Sequence, residues 1–230
     1  MSRLEVTGLV KTLGGASHDA SAVLRGTTFS VASGECLGLR GATGAGKTTL
    51  LRIIAGLLTP DAGEVRLDDR VLSAPGILVP PQERGIGFMF QSLGLWPHLT
   101  VKGHLDFVLA ATRWTRQART ARRAAILDTF VLHGLENRYP GELSGGERHL
   151  LALARALCTD VRLLLLDEPF TGLDGALKGR ILDTLRQERT RRRLTALLVT
   201  HNDDEMRALC QHVEQLSEGC IVERATSPKL

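Results

Sequence analysis

Hydrophobic and polar positions change their period along this chain. LEVTGLV (residues 4–10) alternates loosely, as a half-buried strand does, and TTFSVASG (27–34) predicts a second strand ending in a turn. GGASHDAS between them is rich in Gly and Ser and reads as a loop. ECLGLR (35–40) is a short apolar strand that runs straight into a glycine-rich segment. From Lys47 to Leu57 the pattern lengthens to a helical period, with Leu50, Leu51, Ile54 and Leu57 on one face. EVRLDD (64–69) and IGFMF (86–90) are further strand candidates. Between Leu99 and Leu157 helical periods dominate, punctuated by Gly134, Pro140 and Gly141. RLLLLDE (162–168) is short and wholly apolar before its acids, which suits a strand buried on both faces. Asp174–Glu188 reads as a helix, LTALLVT (194–200) as another buried strand, and Asp203–Cys210 as a helix. Strands alternating with helices predict a parallel sheet covered on both sides, and the helical block reads as an insertion into that α/β core.

Three segments carry chemistry. GATGAGKT, Gly41 to Thr48, fits G-x-x-x-x-G-K-[ST] and lies between a predicted strand and a predicted helix, the context that the pattern requires. Glycines let a backbone curl until several N–H groups face phosphate oxygens, and the helix start adds a positive end. Lys47 brings a full charge for β- and γ-phosphates, and Thr48 a hydroxyl for Mg²⁺. LLLLDEP (163–169) delivers Asp167 and Glu168 to the C-terminal edge of the sheet. Asp167 can hold Mg²⁺ through water, and Glu168 is placed to take a proton from an attacking water. The plain alternative for DE alone is a strand end with a solvated turn. LSGGE (143–147) precedes LLALARAL; Ser144 can cap that helix while Gly145 and Gly146 expose backbone N–H groups, a second anion cradle. Taken alone, Ser-Gly-Gly is more often a simple N-cap.

The order GATGAGKT, LSGGE, LLLLDEP, with LSGGE on the helical block, resembles the ATPase subunits of ABC transporters over essentially the whole chain. The resemblance implies one ATPase domain over residues 1–230: a P-loop NTPase α/β core (about 1–91 and 158–230) with a parallel sheet, an N-terminal antiparallel β subdomain, and an inserted helical subdomain (about 92–157). It implies ATP and Mg²⁺ as cofactors. Residues 41 to 49 (Gly41, Ala42, Thr43, Gly44, Ala45, Gly46, Lys47, Thr48 and Thr49) would hold the nucleotide. Gln91 would sense Mg²⁺ and the γ-phosphate, Asp174 in TGLD would cross the dimer interface, and His201 would contact the γ-phosphate beside the base Glu168. Metal contacts would come from Thr48, Gln91 and Asp167. Ser144, Gly145 and Gly146 of one subunit would close over ATP held by the other, in a homodimer or a heterodimer with a related ATPase. PPQERGIGFMFQSLGLWPHLTV (80–101) resembles importer ATPases for inorganic ions, oxyanions and polyamines. There Leu93, Leu95, Trp96, Pro97 and Leu99 would wall a groove for transmembrane permease subunits, and through these an external solute-binding protein. The alternatives are an exporter or lipid-handling ATPase, a soluble ATPase on ribosomes or DNA, and a module that scarcely hydrolyses.

Several positions depart from that pattern. Leu13 stands where an aromatic usually stacks on adenine. Glu147 replaces a glutamine and would put negative charge near the partner's γ-phosphate. His149 and Leu150 replace a Gln-Arg pair. The sequence stops at Leu230 without the further β-domain of many oxyanion importers, so regulation through such a domain is not expected.

Composition narrows the rest. Hydrophobic residues are 43%, charged 23% and aromatic 4%, so the core must rest on Leu, Val, Ile and Ala. No apolar run reaches the roughly 20 residues needed to cross a bilayer, and the N-terminus lacks a secretory pattern. The expectation is a cytoplasmic protein, peripheral on the inner face of the membrane. The four cysteines show no metal spacing and read as reduced thiols. The net charge of +4 gathers in two runs, Arg113, Arg116, Arg119, Arg122, Arg123 and Arg186, Arg189, Arg191, Arg192, Arg193. These read as solvated helix faces. With only Trp114 among them to stack on bases, no nucleic-acid partner is expected.

Overall fold

The computed structural model describes residues 2–14 and 21–226, and the side chains of 22–222 within the latter stretch. Most of the predicted GGASHDAS loop falls outside the described residues. Two sheets form. The antiparallel one has the order β2-β1-β4-β5-β6 and is built from β1 (Leu4–Leu13), β2 (Ser21–Val31), β4 (Ala62–Leu67), β5 (Arg70–Ala74) and β6 (Ile77–Leu78). The other has the order β11-β10-β3-β9-β8-β7, from β3 (Cys36–Arg40), β7 (Ile86–Met89), β8 (Leu163–Asp167), β9 (Thr195–Val199), β10 (His212–Ser217) and β11 (Cys220–Thr226). Its strands run parallel from β10 to β7, and β11 pairs antiparallel with β10.

Strand alternation divides the core in two. Leu163, Leu165, Leu197 and Val199 face α1 (Lys47–Ala55), which is sandwiched against the antiparallel sheet through Leu4, Val6 and Val65. Leu164, Leu166, Ala196 and Leu198 face the opposite side. There they pack with α2 (Val101–Ala110), α3 (Arg116–Thr129), α4 (Gly145–Leu157) and α5 (Gly175–Arg192). All five residues of β8 and of β9 are buried, as a strand covered on both faces requires. The inserted helices α2–α4 therefore share a core with the sheet. A short helix, α6 (Asp203–Leu209), follows β9.

Two expectations need correction. The helix predicted to reach Leu57 ends at Ala55, because Gly56 takes a left-handed C-cap (φ 84°) that returns N–H bonds to Arg52 and Ile53. Leu57 is 46% exposed and faces no core. The arginine runs are only partly solvated. Arg122 donates to the carbonyls of Cys158 and Leu157, Arg123 pairs with Asp106, Arg189 is buried and donates to Leu209, and Arg192 donates to Leu157 and pairs with Glu188. Arg113, Arg116, Arg186, Arg191 and Arg193 are the solvated ones. The helical period was read correctly, but charge alone did not reveal that loop and helix-end carbonyls needed donors.

One arginine is wholly internal. Arg84, 1% exposed, spreads its guanidinium over Val79 O (2.7 Å), Ile54 O (2.7 Å), Ile53 O (3.1 Å), Leu72 O (2.9 Å) and Ser73 Oγ (2.8 Å). Burial lowers its pKa to about 10, so it stays charged. It sits at the negative end of α1 and ties that helix to the antiparallel sheet. Arg84→Leu should lower the free energy of unfolding by about 3 kcal/mol or more, because several buried acceptors lose their donor at once. Urea titration measures this, and a loss below about 1 kcal/mol would show that water replaces the guanidinium.

Candidate functional site

The loop from β3 to α1 forms the floor of the site. Gly46 has φ 104° and caps α1; a Cβ there would lie 2.9 Å from both Leu24 Cδ2 and Val23 O, so no larger residue fits the turn. The turn buries Lys47 (8% exposed) and aims Nζ at the loop's own carbonyls, Gly41 O at 2.6 Å and Ala42 O at 2.9 Å. Thr48, one residue on, donates to Asp167 Oδ2 at 3.1 Å. Asp167 is the last residue of β8, paired to Val199 of β9, so the sheet's parallel register carries both strand ends to the loop.

Glu168 follows in a left-handed conformation, φ 48°, unusual for a side-chain-bearing residue. Its N–H bonds Val199 O at 2.9 Å, and its Oε1 lies 3.1 Å from His201 Nε2. Thr43, Gly44, Gly46, Lys47, Thr48, Thr49, Gln91, Asp167, Glu168 and His201 together line one cleft of about 500 Å³, with Leu13 and Val23 on its apolar side. Gly41, Ala42 and Ala45 form the inner turn behind it; Ala45 is buried. Most of the predicted nucleotide set is thus in one place, and Leu13 is positioned to give only aliphatic contact.

The signature segment stands elsewhere. Ser144, Gly145, Gly146 and Asp174 do not line this cleft. Ser144 caps α4, its Oγ accepting from Glu147 N at 3.2 Å, while Glu147 Oε2 accepts from Ser144 N at 2.7 Å. Glu147 therefore turns its charge back onto its own helix start, where two bonds to Ser144 hold its pKa below the ordinary range. The carboxylate thus lies beside Ser144, in the segment expected to face a partner's nucleotide. Gly146 is packed on α5: a Cβ would lie 2.0 Å from Leu177 Cδ2. Asp174 caps α5 through Leu177 N at 2.9 Å, so the two loops brace each other. Leu150 packs against the helical core, and His149 Nδ1 lies 2.9 Å from Gly145 O.

Sequence reasoning missed a supporting layer. Glu205 on α6 is buried, pairs with Lys178 and accepts from Thr200, the residue before His201. Nothing in its local sequence marks it, since its partners arrive from α5 and from the end of β9. On the other side of the cleft, Gln91 leads into a loop held by Arg155 of α4, which donates to Gly94 O and to Leu93 O (2.7 Å) and lies 5.2 Å from the Trp96 ring. His104 fixes the same loop, its Nε2 accepting from Trp96 N at 2.9 Å.

The electrostatics are unbalanced without a ligand's charges. Burial raises the Asp167 carboxyl above its ordinary range, opposed by Thr48 and Lys47. Burial likewise raises Glu168, opposed by His201 and reinforced by Glu205 and Asp167. Burial lowers Lys47, opposed by the two acids. A carboxyl with a raised native pKa binds more protons folded than unfolded. Its contribution to stability is therefore present at low pH and lost as pH rises from the unfolded value through the native one. At pH 7 Asp167 and Glu168 each weigh against folding. Asp167→Asn and Glu168→Gln should each raise the melting midpoint of the nucleotide-free protein at pH 7 by a few degrees, with the gain shrinking as pH falls through the raised native values and gone below about pH 4. A midpoint lowered by both changes would contradict this balance.

Comparison with known proteins agrees with the geometry. A family profile described as "ABC transporter" matches residues 24–171. A glucose import ATP-binding protein of Saccharolobus solfataricus is 37% identical over 201 residues, 87% of this chain and 57% of that protein. A sulfate/thiosulfate import ATP-binding protein of Brucella melitensis is 41% identical over 207 residues, 88% of this chain and 56% of that protein. The chain thus spans little more than half the length of these curated relatives. The dimeric post-hydrolysis structure of the ATP-binding cassette MJ0796 bound to ADP and Pi superposes with a TM-score of 0.86 at 26% identity, covering 99% of this chain and 100% of that one. Fold, motif order and sequence therefore agree that the chain belongs to the ABC transporter family.

Proposed function

We propose that this chain is the ATP-binding and ATP-hydrolysing subunit of a membrane importer, acting through ATP-dependent closure and opening of a dimer. One observation carries the reading: Lys47, Thr48, Asp167, Glu168 and His201, from three separate segments, converge on one cleft at the C-terminal edge of a parallel sheet. Lys47 and the loop N–H groups bind the phosphates. Thr48 and Asp167, already 3.1 Å apart, would hold Mg²⁺ with Gln91, and the ion supplies charge neutralisation when bound. Glu168, raised toward neutrality and held by His201, takes the proton of the attacking water.

Import is supported by the glucose and sulfate/thiosulfate import relatives, and dimerisation by the composite design. Ser144 and Gly145 are exposed and away from the chain's own cleft, where they are free to close over a second subunit's nucleotide. No helix among the described residues is long and apolar enough to cross a membrane, so membrane work requires permease partners. We place their docking at a groove of about 220 Å³ lined by Phe88, Phe90, Gly94, Trp96, Val108 and Arg155. Phe107, 60% exposed, lies 4.9 Å from the Trp96 ring. Such a subunit sits on the cytoplasmic face of the membrane.

Lys47→Ala should weaken ATP binding on the order of 100-fold, since two or more charge-assisted bonds disappear; calorimetric titration measures it. Glu168→Gln should bind ATP normally, turn over on the order of a thousandfold more slowly, and elute as a dimer with ATP. A monomeric Glu168→Gln protein hydrolysing at the wild-type rate would remove the base assignment. Trp96→Ala should leave ATP turnover of the isolated chain unchanged and abolish its stimulation by reconstituted permease; undiminished stimulation would exclude the groove.

A further inference from the structure

Two cysteines far apart in sequence meet beneath the nucleotide-binding strand. Cys36 opens β3, and Cys210 follows α6 as its C-cap. The parallel register of β3 and β10 pairs Leu37 with His212, which sets Gln211 beside Cys36. Two hydrogen bonds lock that arrangement: Gln211 N to Cys36 O at 3.0 Å, and Cys36 N to Gln211 Oε1 at 2.7 Å. Cys210 then turns onto β3, and the two Sγ atoms lie 3.5 Å apart. The remaining cysteines have no such neighbour: Cys158 is buried among carbon and arginine stems, and Cys220 Sγ meets a carbonyl of Arg25. We propose that Cys36 and Cys210 form an oxidation site, a dithiol that peroxide converts to a disulfide stapling β3 to the end of α6.

The surroundings suit the chemistry. The two sulfurs already lie 3.5 Å apart, so reaching the roughly 2 Å of an S–S bond asks them to close by about 1.5 Å. The Cys210 thiol beside it and the Arg189 guanidinium draw the Cys36 thiol below its ordinary value against the effect of burial, while Cys210 is raised. With Cys36 attacking and Cys210 resolving the route runs in two steps, and exchanging the two sulfurs gives the same disulfide. A cavity of about 320 Å³ is lined by Gln211, the residue after Cys210, and by Gly34 and Arg189 on the Cys36 side. In the first step the Cys36 thiolate attacks one peroxide oxygen; the O–O bond breaks, Cys36 becomes a sulfenic acid, and the released hydroxide takes up the thiol proton as water. In the second, Cys210 sulfur attacks the Cys36 sulfur, the S–O bond breaks, and the hydroxide leaves with the Cys210 proton as a second water. Two thiols and one hydrogen peroxide thus give one disulfide and two waters.

The bond would span 174 positions of sequence and join the strand that feeds the phosphate loop to the helix that follows His201. It restrains the two segments that must adjust around a nucleotide. This effect, unlike the bond itself, rests on the ATPase reading.

The test treats the reduced full chain with hydrogen peroxide, unfolds it in the presence of an alkylating reagent, and digests with trypsin without reductant. Peptide 26–40, carrying Cys36, should appear linked to peptide 208–224, which carries both Cys210 and Cys220. In Cys220→Ser protein the link should persist, and in Cys210→Ser protein it should vanish; the first arm assigns the sulfur even where the second variant folds poorly. Full alkylation of Cys36 and Cys210 under conditions that oxidise Cys220, or a link lost in the Cys220→Ser variant, would overturn the site. ATP turnover of the Cys220→Ser protein should fall several-fold once the link is quantitative and return with dithiothreitol. Unchanged turnover would overturn the effect on the nucleotide site. A chain with no turnover before oxidation would instead refute the ATPase reading and leave the peptide test intact.

Discussion

Two carboxylates and one ammonium are buried together at the end of β8, and their desolvation governs the rest of the molecule. Asp167 is 3% exposed and Lys47 8% exposed. Neither acid meets a full charge partner at hydrogen-bonding distance; Asp167 has the Thr48 hydroxyl and Glu168 an imidazole. Lys47 spends two of its donors on loop carbonyls. Under the proposed function a polyanion would relieve the lysine and a cation the acids, so the two ligands would be bound together. Both faces of β8 are covered by leucines because the strand must hold these charges at a fixed place against that cost.

The binding half of this design was legible from sequence, because it is local. GATGAGKT is continuous, and its neighbours ECLGLR and TTLLRII declare strand and helix by period alone. LLLLDEP declares a doubly buried strand in the same way. What was not legible depends on partners brought from afar. Glu205, Arg84 and Arg155 look like ordinary surface charges in a linear reading, yet each is buried and satisfied by groups at least one element away. The strands β5, β6, β10 and β11 also escaped, since short polar hairpins such as HVEQLSEGCIVERAT carry weak alternation and take their register from neighbouring strands. Glu147 was read as a liability because its charge was visible and its bond to Ser144 N was not.

Arg155 shows how the helical insert and the α/β core act on each other. It projects from α4, whose first turn is the Ser144–Gly146 segment, and its guanidinium grips the Leu93 and Gly94 carbonyls two and three residues beyond Gln91. Leu93 and Gly94 hold left-handed conformations, φ 61° and 57°, that present those carbonyls together. Burial lowers the Arg155 pKa, and no acid compensates it. Among the described residues the cation is stabilised by the Leu93 and Gly94 carbonyls and by the Trp96 ring. Any displacement of the Gln91 loop therefore exposes or orphans that charge, unless α4 moves with it. One buried side chain thus holds the loop after Gln91 and lines the Trp96 groove, so a substitution at Arg155 would disturb both places at once.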